Sequence, residues 1–158
     1  MRLSDHQCLR LVHSLFNITR AYEKEIERKV FHLQPSLSIQ DLGMLVILGL
    51  YAPMTSRQLS EKMEISPAMT SLCVQKYVEN GLLYREQDKN DRRNWWLYLT
   101  DEGQELFQNL ISSTVDLTGI FLAGLEENEQ LQLHNLLEKM LRQLTQALPH
   151  LQIKERIY

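Results

Sequence analysis

The stretch TSRQLSEKMEISPAMTSLCVQKYVENGLLYREQDKNDRRNWWLYLT, residues 55–100, decides the fold. Thr55-Ser-Arg-Gln58 has the pattern of a capping box, in which two side chains satisfy free N–H groups at a helix start. It predicts a short helix over about 55–62, with Leu59 and Met63 facing inward. Ser66-Pro67 marks a second start, because serine suits the N-cap and proline the first helical position. That helix should run over about 66–80 and end at Gly81. Strand-like runs over 82–86 and 95–99 then flank a polar, charged tip, 87–94. A helix pair followed by an arginine-tipped ribbon suits duplex DNA, with a helix in the major groove and the tip beside it.

Working outward, Leu9, Val12, Leu15, Phe16, Tyr22, Ile26, Val30 and Leu33 recur at helical spacing. They predict a long helix over about 4–33, capped by Ser4 and blocked by Pro35. Ser38 can cap a helix over about 38–50 that is apolar on most faces, hence buried. Residues 51–54 read as a connector. Thr100 caps a fifth helix with the stripe Leu106, Phe107, Leu110, Leu117, Ile120, Phe121 and Leu125. A sixth, over about 126–148, carries Leu133, Leu136, Leu137, Met140, Leu141, Leu144 and Leu148, and Pro149 ends it.

The expected fold class is mainly α with a small β-wing, a winged helix-turn-helix flanked by long terminal dimerisation helices. One domain covers 1–158, with the DNA-binding part at 38–100 and helical dimerisation parts at 4–34 and 104–150. The long terminal helices cannot all bury their stripes against so small a module. A two-fold homodimer is the commonest solution. It would set two reading helices about 34–36 Å apart, one DNA turn.

The 158 residues suffice for a real core, and 44% hydrophobic with 23% charged residues is an ordinary globular mix. Net charge is −3, which at first counts against a polyanion partner. Its distribution softens the objection: residues 101–158 carry nine acids and four bases, whereas residues 55–100 carry six and seven. Binding to DNA should be modest and strongly salt-dependent. No apolar run approaches a membrane span, and the start lacks a signal-peptide stretch, so a cytoplasmic protein without membrane contact is expected. Cys8 and Cys73 lie far apart and read as free thiols. His6, His13, His32, His134 and His150 form no close pair, so no metal site is expected. No nucleophile motif, phosphate loop or carboxylate pair stands out, and neither an enzyme nor a cofactor is expected.

Asp91-Arg-Arg93 followed by Leu97-Tyr-Leu-Thr100-Asp-Glu-Gly103 resembles the wing motif of the MarR family of winged-helix transcription regulators. Gln58-Leu-Ser-Glu-Lys-Met63, Ser66 and Asn80-Gly-Leu82 are similar to that family's helix-turn-helix. Helix order matches over about 4–148. The resemblance implies a homodimer built from terminal helices that binds a pseudo-palindromic operator and usually represses. It implies that, as in many members, a small phenolic or other ligand bound between the dimer and DNA parts releases the DNA; in this chain the second and fifth helices, with the first, are expected to line that pocket. Other members respond to cysteine oxidation or to a metal.

The expected DNA-binding residues are Arg57, Ser66, Ala68, Met69, Thr70, Ser71, Leu72, Gln75, Lys76, Lys89, Asn90, Arg92 and Arg93. Cys73, Val74 and Tyr77 should face the core. Gln75 suits adenine, Ser71 base or backbone, and Met69 or Leu72 a thymine methyl. Lys76 and Arg57 suit phosphate. Arg92 or Arg93 suits the minor groove. Asp91 is read as wing support, orienting one of these arginines. Such a helix commonly has arginine or histidine near its middle, where this chain has Leu72. The wing would then carry more of the affinity. Of Trp95 and Trp96, one should pack on the domain and the other be partly covered.

Two alternatives stand beside this reading. One is a dimeric protein-interaction module with weak DNA affinity, suggested by the acidic balance and Leu72. The other is a redox-sensing regulator acting through Cys8, whose place near a helix start would favour the thiolate.

Overall fold

The computed structural model describes residues 3–30, 32, 36–89, 91–92 and 94–148. The elements are α1 (Asp5–Val30), α2 (Ile39–Tyr51), β1 (Met54–Thr55), α3 (Ser56–Met63), α4 (Pro67–Glu79), β2 (Leu83–Gln87), β3 (Trp95–Leu99), α5 (Asp101–Leu122) and α6 (Glu127–Ala147). They fall into two compact units, Met1–Leu117 and Thr118–Tyr158, with the boundary inside α5.

In the first unit, capping chemistry sets the helix starts. Thr55 Oγ1 accepts from the Gln58 N–H at 3.3 Å, and Gln58 Oε1 accepts from the Thr55 N–H at 2.8 Å. Ser38 and Asp41 form the same reciprocal box at the start of α2. Ser66 Oγ accepts from the Met69 N–H at 3.2 Å, and Pro67 follows in the first turn of α4. Gly81 ends the segment after α4 with φ +70°, a left-handed conformation that favours glycine.

The sheet is antiparallel in the order β1-β3-β2. Residues 51–54 are therefore more than a connector, because Met54 and Thr55 pair with Leu97 and Trp96. One face of the β2–β3 ribbon buries Leu83 and Leu97. On the other, Tyr84 stacks on Tyr98 with ring centroids 5.1 Å apart.

The core joins α2, α3, α4 and the sheet through Leu45, Leu48, Leu59, Tyr77 and Leu97, all fully buried. Leu106, Phe107, Leu110 and Leu117 of α5 complete it. Thr100 fastens the start of α5 to the end of α4. Its N–H donates to Leu82 O at 3.1 Å and its hydroxyl to Gly81 O at 2.6 Å. The same Oγ1 accepts from the Gly103 N–H at 3.0 Å. Any Cβ at Gly103 would run into the Leu82 carbonyl oxygen. The Leu-Thr-x-x-Gly pattern is thus a packing requirement.

The first four turns of α1 lie bare. Every residue from 5 to 21 is exposed, including Leu9, Val12 and Phe16. In the second unit, Gln130 Nε2 donates to Leu122 O and Leu125 O and closes the turn into α6. No described residue of α6 is buried, and its Leu133, Leu136, Leu137, Met140, Leu141 and Leu144 remain exposed.

Candidate nucleic-acid interface

Helix α4 divides as its 3.6-residue period requires. Val74 and Tyr77 are buried and Cys73 is half-buried. Ala68, Met69, Ser71, Leu72 and Gln75 face solvent. Ser66 is exposed at the cap. Thr70 departs from expectation. It is 1% exposed, and its hydroxyl donates to Ser66 O at 3.1 Å. It lies four residues before Val74, on the inward face, so its side chain packs within the fold.

Two cations expected to meet phosphate are already engaged. Lys76 Nζ donates to Asp41 Oδ2 at 2.6 Å, and the Asp41 side chain is only 10% exposed. Arg57 pairs with Glu61 at 2.9 Å, fully in solvent. That pair is weak and open to exchange for a phosphate. The Lys76 pair is part of the fold. Asp41 also accepts from the Ser38 N–H at 2.6 Å and the Ser38 hydroxyl at 2.7 Å, and its carbonyl accepts from Tyr77 Oη at 2.7 Å. Burial alone would push the Asp41 carboxyl up, but the bonds from Lys76 and Ser38 outweigh it and hold it below its ordinary value. Burial, with the nearby Asp41 charge, pushes the Tyr77 phenol well up, so it stays a donor. Sequence reading missed this joint, since Asp41 and Lys76 lie 35 positions apart.

The wing tip is built around Asp88, which sequence reading also passed over. One carboxylate oxygen accepts from Trp96 Nε1 at 2.6 Å and the other from the Asp91 N–H at 3.0 Å. Gln87 Nε2 donates to Arg92 O at 2.6 Å. Asn94 Nδ2 donates to Asp91 Oδ2 at 3.3 Å. An aspartate at the start of a tight turn was the available signal. Lys89 and Arg92 are exposed at this tip. Asn90 and Arg93 lie outside the described residues. Trp96 is half-buried, while Trp95 is 46% exposed, so neither indole is packed fully on the domain.

A cavity of about 310 Å³ opens in the first unit between α1, α2 and α5. Tyr22, Ile26, Leu42, Val46 and Leu110 line it, with Thr19 and Thr114 among its polar groups. His13 stands elsewhere on α1, within hydrogen-bonding distance of Asn17. Cys8 is exposed near the start of α1. Among the described residues, no three His, Cys, Asp or Glu side chains gather as metal ligands, and no single helix is long and apolar enough to cross a membrane.

A capped helix pair with a three-stranded sheet ending in a two-stranded wing defines a winged helix-turn-helix protein. Residues 34–95 match the MarR family. The chain is 27% identical over 99 residues to the HTH-type transcriptional repressor MdtR of Bacillus subtilis (strain 168), covering 63% of this chain and 64% of that one. It thus spans just under two thirds of the curated relatives it first matches. Its fold is that of the YusO protein from Bacillus subtilis (TM-score 0.73, 22% identity, 89% of this chain and 99% of that one). It is also that of the PcaV transcriptional regulator from Streptomyces coelicolor, solved in complex with its natural ligand (TM-score 0.63, 21% identity, 89% and 96%). Over residues 34–95, then, the chain is similar to the MarR family.

Proposed function

We propose that this protein is a homodimeric, cytoplasmic, DNA-binding transcriptional regulator. It represses by occupying a pseudo-palindromic operator and is released by a small ligand. One observation carries the reading: α4 starts at a fixed cap, turns Ala68, Met69, Ser71, Leu72 and Gln75 to solvent, and leads into a wing tipped by Lys89 and Arg92. The relative MdtR is named as a repressor, which supports the direction of regulation.

Pairing is supported by the bare apolar stripes on α1 and α6. Exposed apolar surface on that scale marks an interaction site. Ligand control is supported by the cavity, whose size and mainly apolar lining, with hydroxyls and the Glu23 carboxylate, suit a small apolar molecule with polar substituents. Helix α2 supplies both a cavity wall, through Leu42 and Val46, and the Asp41 anchor of α4. A ligand that prefers one setting of α2 would therefore bias the reading helix.

The test is a titration against mixed-sequence duplex at low and high salt. Association at micromolar protein that falls steeply with salt is the expected result. The second reading, a protein-interaction module, is favoured by the exposed Met69 and Leu72 and by the engaged Lys76 and Arg57. Absence of binding at low salt would select it. Redox control through Cys8 is separated by peroxide treatment of a Cys8→Ser variant, which would keep any oxidative loss of binding if the thiol is uninvolved.

A further inference from the structure

The outer face of α4 is unusual for a DNA-reading surface because its exposed centre is aliphatic. Leu72 is 63% and Met69 50% exposed, with Ala68 also in solvent beside them. Residues 68, 69 and 72 share one side of the helix over its first turns. At 1.5 Å per residue they span about 6 Å, close to two base-pair steps. The polar groups that follow have partners within the protein. Lys76 is bound to Asp41, and Gln75 Nε2 donates to Glu79 Oε1 at 2.8 Å. Arg57 on α3 is paired with Glu61. Among the described residues of α4, Lys76 is the sole cation.

In the major groove, guanine is read by a guanidinium or ammonium and cytosine by a carboxylate. The feature that an aliphatic side chain recognises there is the thymine 5-methyl group. We infer that Leu72 and Met69 are specificity-determining residues that pack on the methyl groups of two neighbouring thymines in each operator half-site. This rests on the DNA-binding reading above. Gln75, with its amide oriented by Glu79, sits one turn further on. An adenine there is the complementary expectation, since Gln presents a donor and an acceptor to that base. The half-site is thus A·T-rich beneath α4 and is read by methyl burial.

The test begins with selection of bound duplexes from a random-sequence pool by the full-length protein. The best duplex is then compared with a copy carrying deoxyuridine for thymine in the half-sites, which removes the methyl and leaves base pairing intact. Wild-type binding should weaken about three- to fourfold per methyl removed, the effect of exposing one buried carbon. The Leu72→Ala variant should bind both duplexes equally at the contacted position. Its side chain is exposed, and circular dichroism checks that the fold persists. Equal wild-type affinity for the thymine and uracil duplexes overturns the inference and leaves the DNA-binding reading intact. Failure to enrich any duplex overturns both. Capture of a protein through Met69 and Leu72, with no uracil effect, also overturns it.

Discussion

Lys76 Nζ lies 2.6 Å from Asp41 Oδ2 and ties α4 to the start of α2. The same carboxylate holds the Ser38 cap, so one side chain organises two helices. Asp41→Ala should lower unfolding free energy by about 2 kcal/mol in urea denaturation, from the lost carboxylate half of the capping box and a lost charged hydrogen bond. Lys76→Met should cost less, about 1 kcal/mol, because the cap survives. It should leave the salt slope of DNA binding unchanged. A slope smaller by about one would show that Lys76 neutralises a phosphate instead.

The Asp41 joint also sets an acid limit. Its folded carboxyl ionises below its ordinary value, despite the opposing effect of burial. The folded state therefore gains stability while the carboxylate is charged. That gain is complete above the unfolded value of about 3.9 and is lost as pH falls through the lower folded value. Urea midpoints should drop more steeply below about pH 4 for the wild type than for Asp41→Asn. Parallel curves for the two would contradict the assignment.

Two glycines should respond in opposite ways. Gly103→Ala forces a methyl against the Leu82 carbonyl oxygen and should cost about 1–3 kcal/mol. Gly43 lies inside α2, and a Cβ there meets nothing within 4 Å. Gly43→Ala should raise stability by about 0.5–1 kcal/mol through helix propensity. Thermal melts of both variants check the pair.

Arg92 is exposed on a tip whose shape is held by Asp88, Gln87 and Asn94, with no part for its own guanidinium in those bonds. Arg92→Ala should therefore keep wild-type stability. It should weaken operator binding several-fold and reduce the salt slope by about one. Unchanged affinity at matched salt would remove Arg92 from the interface. Arg93→Ala is the companion measurement.

The elements that were legible in the sequence announce themselves locally. Thr55 with Gln58, Ser66 with Pro67, and Gly81 each act within a few residues, so the helix-turn-helix could be read from its punctuation. Strand β1 could not, because two residues become a strand only by pairing with Leu97 and Trp96 more than 40 positions away. The Asp41–Lys76 pair was hidden for the same reason. Thr70 shows a different failure. Residues 68 to 72 are contiguous in sequence, but the helical period turns position 70 inward beside Val74. Asp88 carries a turn signal of its own, but Asp91 is the aspartate that adjoins the two arginines in sequence.

The most direct test is the stoichiometry and footprint of the protein on a duplex it selects. Sedimentation of the complex should give two chains per duplex. Chemical protection should show two related half-sites centred about 10–10.5 base pairs apart, with minor-groove protection where the wings reach. One chain per duplex, or a single protected patch without an inverted partner, would contradict a paired winged-helix reader.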